Sequence, residues 1–115
     1  MTTLLAMFRR PEGGPQAEAE FERRYQAEHL PLVAGTPGLR GTTVHRVAGA
    51  LGGETDLIVI TAMTFDDRAA MDAGLASDAM RAAGRNLREI APGLVTMLVL
   101  ETDGTMTAAA TPTLD

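Results

Sequence analysis

Residues 57–65, Leu-Ile-Val-Ile-Thr-Ala-Met-Thr-Phe, decide how this 115-residue chain folds. The stretch is rich in β-branched residues and bounded by polar turns, so it reads as a strand. Its two faces are Leu57, Val59, Thr61, Met63, Phe65 on one side and Ile58, Ile60, Ala62, Thr64 on the other. Neither is polar. A strand whose sheet has one wet face should alternate between apolar and polar residues. Residues 94–101 (LVTMLVLE) repeat the anomaly, with Leu94, Thr96, Leu98 and Leu100 opposite Val95, Met97 and Val99.

Working outward, residues 3–8 (TLLAMF) form a first strand, and PEGGP after it is dense enough in breakers to be a loop. A helix is expected from about Ala17 to His29, carrying Phe21, Tyr25 and His29 on one face. Glu18, Glu20 and Glu22 lie in its early turns, where the helix dipole favours acids. Pro31 disfavours the α conformation at Leu30, so the helix should loosen there. Residues 40–48 (RGTTVHRVA) are a strand of mixed polarity, joined by AGALGGET to residues 57–65. Asp66-Asp67 caps a helix with Met71 and Leu75; Ser77-Asp78 caps a second, with Met80, Leu87 and Ile90. Pro92-Gly93 stops it before the last strand. The order is β-α-β-β-α-β: an α+β, ferredoxin-like fold with a four-stranded antiparallel sheet and helices on one face. Those helices cover one side only. The economical cover for the other is a second copy, which predicts a homodimer.

Composition narrows the function. Zero cysteine excludes disulfides, thiolate metal sites and a cysteine nucleophile. A net charge of −5, with every basic residue an arginine, argues against general nucleic-acid binding. No apolar run is long enough for a membrane span. The N-terminal MTTLLAMFRR places its charge after the apolar run, the reverse of a secretory signal, so a cytoplasmic location is expected.

Chemistry concentrates between Phe21 and Arg40, in F-x-x-x-Y-x-x-x-H-x-P-L-x-x-x-x-P-G-L-R. Tyr25 and His29 are helical neighbours, and a phenol beside an imidazole can serve as a proton-transfer pair. At a helix end, His29 should be raised in pKa by the exposed carbonyls, which suits a general acid. The structural alternative is that Tyr25 fills the helix–sheet interface and His29 caps carbonyls. Two histidines, His29 and His45, without clustered carboxylates make a poor metal site, so no metal is expected. Arg9-Arg10 reads as a solvated pair before an anion site, and GALGG (49–53) fits no nucleotide-binding pattern. The seven methionines are adaptable filler for core or pocket.

Phe21, Tyr25, His29-Leu30-Pro31-Leu32 and Pro37-Gly38-Leu39-Arg40 resemble the signature of the EthD family, and MTFDDRAAMDAGLAS (63–77) and GLVTMLVLE (93–101) are similar to its later elements. The resemblance covers roughly residues 3–101, which defines a domain over 1–101 and a tail over 102–115. It implies a dimeric α+β barrel with a pocket in each subunit between sheet and helices. Arg24 stands where the family often has an aromatic, and Asn86 where relatives carry an Asp. The expected function is a small-molecule enzyme or binding protein acting without a metal or cofactor on an apolar oxygenated compound. The chemistry would be of oxidoreductase, isomerase or lyase type. His29 and Tyr25 would be the acid/base pair, with Phe21, Met63, Met97 and Asn86 as pocket residues. Haem on His29 is the weaker cofactor alternative. The rival reading is a non-catalytic dimeric accessory or ligand carrier.

Overall fold

The computed structural model describes residues 1–107; the end of the expected tail, 108–115, lies outside the described residues. β1 runs over Thr2–Arg9, α1 over Gly14–Arg24, a π turn over Tyr25–His29 and α2 over Leu30–Ala34. β2 (Gly41–Arg46) and β3 (Leu57–Phe65) follow, then α3 (Arg68–Leu75), α4 (Asp78–Ile90) and β4 (Val95–Glu101). The strands form one antiparallel sheet in the order β2-β3-β1-β4, the ferredoxin-like arrangement.

Register assigns the faces. Leu4 pairs with Met63 and Val99, and Phe8 with Val59 and Val95, so these side chains share the face that the helices cover. Leu4, Ala6, Phe8, Val59, Met63 and Phe65 are buried there against Phe21, Tyr25, Val33, Met71, Leu87 and Ile90. Leu5, Met7, Ile60, Ala62, Leu98 and Leu100 lie on the opposite face, where no helix packs among the described residues. The edge strand β4 leaves Met97, Leu98, Val99 and Leu100 each 42–46% exposed.

Three expectations about the first helix need correction. It begins at Gly14 instead of Ala17, because Pro15 sits in the first turn, where its missing N–H is no loss. Glu18, Glu20 and Glu22 therefore lie beyond the first turn and pair with Arg10, Arg23 and Arg46. The helix also runs on through Pro31. A π turn widens the coil, closed by the Leu30 N–H donating to the Tyr25 carbonyl five residues back, and Pro31 falls in the first turn of α2.

The second helical segment splits as its caps require. Asp67 accepts from the Ala70 N–H at 2.8 Å, and Ser77 from the Met80 N–H at 3.3 Å. Arg40, from the P-G-L-R stretch, forks onto Asp66 at 2.9 and 2.8 Å, tying the entry of β2 to the exit of β3. Arg9 bonds Thr96 and the Gly93 carbonyl, and Arg10 bonds Glu18, so both arginines have protein partners.

Candidate active site

The π turn stands over the middle of the sheet. It stacks the His29 ring on that of Tyr25, with centroids 5.1 Å apart and planes 24° from parallel. Behind Tyr25, Phe8 meets its ring edge-on at 5.0 Å and Phe21 lies tilted at 5.6 Å. Tyr25 and His29 are buried, at 2% and 5% exposure. A buried phenol requires a partner, and Thr61 supplies it: the two hydroxyl oxygens are 2.5 Å apart. That accounts for the polar residue in the apolar face of β3.

His29 Nδ1 lies 3.2 Å from Asn86 Oδ1, and Asn86 Nδ2 donates to Glu28 Oε1 at 3.0 Å. Glu28 is held by a two-pronged contact from Arg24 at 2.8 and 3.0 Å, and Arg24 also reaches Glu89 at 3.5 Å. The Arg24 contact keeps the Glu28 carboxyl below its usual pKa, so it is ionised at neutral pH. Burial pushes His29 down from its ordinary pKa, opposed by the bond to Asn86. This reverses the expected upward shift. With the helix continuing to Ala34, His29 is not at a helix end and sits in a dry environment that disfavours imidazolium. Burial likewise raises Tyr25, keeping the phenol neutral.

Tyr25 and His29 line a cavity of about 200 Å³ between sheet and helices. Its other walls are Leu4, Ala6, Met63 and Met97 from the sheet, Val33 from α2, Leu75 from α3, and Met80, Ala83, Gly84 and Leu87 from α4. Leu75 and Met97, at 37% and 46% exposure, mark its mouth. Among the described residues the His29 ring is hydrogen-bonded through Nδ1 alone. His29 and Tyr25 are thus the polar residues in otherwise apolar walls among the described residues.

Of the residues singled out in the sequence, the structure brings Tyr25, His29, Met63 and Met97 together on this cavity. Phe21 is not among the walls: its ring packs against both Phe8 and Tyr25 in the core. Asn86 is not a wall either; it touches His29 from the outer side of the cavity. Glu28 and Thr61 escaped the sequence reading. The signals were present, an Arg24/Glu28 pair at i,i+4 spacing beside His29 and a lone hydroxyl in an apolar strand face. His45 lies exposed on β2 beside Thr43. Among the described residues no three His, Asp or Glu side chains cluster as metal ligands.

The EthD domain model matches residues 14–91, from the start of α1 to the end of α4. The chain belongs to the EthD family. An EthD family protein from Bacillus halodurans is similar to it, with 28% identity over 89% of this chain and 98% of that one, and a TM-score of 0.80. SnoaB, a cofactor-independent oxygenase from Streptomyces nogalater, shares the fold at 20% identity, covering 93% of this chain and 97% of its own, with a TM-score of 0.65. A dimeric ferredoxin-like protein of unknown function from Bacteroides fragilis does so at 17% identity, covering 88% and 95%, with a TM-score of 0.65. No curated protein matches the chain. The EthD match spans the π turn and Asn86, so the cavity's polar wall lies within the family's domain.

Proposed function

We propose that this EthD-family protein binds an apolar, oxygenated molecule of about one ring in size and transfers a proton on it. One observation carries the proposal: among the described residues that wall the cavity, all of them otherwise apolar, the polar side chains are Tyr25 and His29. An apolar cavity of about 150 Å³ takes benzene, so about 200 Å³ suits a single ring with a small substituent. The thioethers of Met63, Met80 and Met97 let the walls adapt to its shape. His29 Nε2 takes a proton from an O–H or activated C–H of the ligand. The electron pair stays on the ligand, and the imidazolium returns the proton to the same or a neighbouring atom. Tyr25, stacked on the ring and anchored by Thr61, polarises the ligand oxygen. Carbanion formation of this kind begins isomerisations, eliminations and reactions of activated carbon with dioxygen. No resident metal or cofactor is invoked for the proton step.

The bare face of the sheet is assigned to a second copy of the chain. Half-exposed Leu98 and Leu100 support this, as does the dimeric description of the Bacteroides fragilis relative of the same fold. Among the described residues no helix is long and apolar enough to cross a membrane.

The rival is a carrier without chemistry. It is favoured by the fact that Tyr25 and His29 each already hold a protein partner, Thr61 and Asn86. Native mass spectrometry of the purified protein gives the mass of any retained ligand, and phenol serves as a defined single-ring probe. Phenol should raise the melting temperature of the wild type, but not of Met80→Trp, which fills the cavity. A co-purified ligand incubated in D₂O should gain deuterium with the wild type and none with His29→Gln. Binding without exchange would establish the carrier, and no phenol effect at all would remove both readings.

A further inference from the structure

We infer that Glu28, acting through Asn86, sets the tautomer of His29, so that the proton sits on Nδ1 and Nε2 is a bare acceptor in the cavity. Glu28 is gripped by Arg24 at 2.8 and 3.0 Å and remains a carboxylate, which can only accept. The Asn86 group 3.0 Å from it must therefore be the NH₂. That turns the amide oxygen toward His29 at 3.2 Å, and an amide oxygen also only accepts. Nδ1 must then carry the hydrogen, which in a neutral imidazole strips Nε2 of its own.

Asn86 and Glu28 are thus positioning residues. Neither lines the cavity, yet together they determine that Nε2 is the ring nitrogen left without a proton. The arrangement also explains how an amide can serve beside a histidine without the imidazolium-stabilising effect of a directly bonded carboxylate. The negative charge is present but one amide removed, already neutralised by Arg24. The charged groups behind His29, outside the cavity lining, are Arg24, Glu28 in the π turn and Glu89 on α4; the sheet walls Leu4, Ala6, Met63 and Met97 bring none. Burial keeps the ring neutral near pH 7, so the tautomer is the property that matters.

The catalytic consequence rests on the proton-transfer proposal above; the tautomer itself does not. Long-range proton–nitrogen correlation spectra of the uniformly ¹⁵N-labelled full chain read it directly. The chain has only two histidines, and His45→Gln removes the other set of signals. Wild-type His29 is expected as the Nδ1–H form near pH 7.5. In Glu28→Gln, position 28 can donate as well as accept, Asn86 is free to flip, and both tautomers should appear. In Asn86→Leu the preference for Nδ1–H should be lost and phenol affinity should fall about three- to tenfold, the worth of one hydrogen bond to the ring. An Nε2–H wild type, or a Glu28→Gln spectrum identical to wild type, overturns the inference. The expected tautomer without deuterium exchange on the ligand would leave the inference standing and defeat the proton-transfer proposal. Exchange with the wrong tautomer would do the reverse.

Discussion

His29 carries an energetic signature that can be measured without any ligand. Its folded-state pKa lies below the unfolded value of about 6.5, because burial penalises the imidazolium. At a pH between those values the unfolded chain binds more protons, so stability must fall as pH drops from about 6.5 towards the folded pKa. Above about 6.5 this contribution is complete. The loss is distinct from that of Glu20 and Glu28, whose depressed carboxyl pKa values act only below about 4.5. Urea unfolding between pH 5 and 7.5 should show a falling midpoint in the wild type and a flatter profile in His29→Gln. Equal slopes would mean that His29 is solvated or charged in the native state. At this scale the sequence indicated that Tyr25 and His29 belong together, since i,i+4 spacing on a helix makes them neighbours. It misjudged the sign of the His29 shift. That sign depends on burial beneath α4, a contact between positions far apart in the chain.

At the scale of elements, α3 is set close to the end of β3 by Gly74. A Cβ built there would come within 2.9 Å of the Phe65 ring and of the Pro37 carbonyl oxygen, and 3.0 Å of Thr36 Cγ2. Alanine would favour the helix by roughly 1 kcal/mol through propensity. Overpacking against a fixed backbone oxygen typically costs about 1–3 kcal/mol and should win. Gly74→Ala should therefore destabilise the protein by up to about 2 kcal/mol in a denaturant titration. A stabilised variant would show that α3 moves freely over β3. Caps, strands and the break between α3 and α4 were legible because Asp67, Ser77 and the period-2 runs act locally. The passage of the helix through Pro31 was not. Local sterics at a proline argue for a stop, whereas packing of the whole segment on the sheet retains it by widening one turn.

For the whole molecule, the decisive feature is a sheet with helices on one face and apolar side chains on both. Leu5 pairs with Ala62 and Leu98 across the middle strands, at the centre of the uncovered face. If a second copy covers that face, light scattering at micromolar concentration should return twice the chain mass of 12.1 kDa. Leu5→Arg should return a monomer, since the charge would be solvated in the single chain and desolvated without a partner in the dimer. A wild-type monomer would overturn the assignment and leave the apolar face to another occupant. Met97 connects this scale to the site, because it marks the cavity mouth on the edge strand, beside the exposed Leu98.

By itself the sequence determined the order of elements, the two-faced strands, and the pairing of Tyr25 with His29. All three follow from periodicity and spacing, which act within a few residues. Only the tertiary structure decided that Met63 and Met97 join that pair around one cavity while Phe21 stands behind it. It alone placed Asn86 between His29 and Glu28. Those relations join residues 34 to 72 positions apart, and no local rule reports which side chains a folded sheet and its helices bring within hydrogen-bond distance or around a shared space.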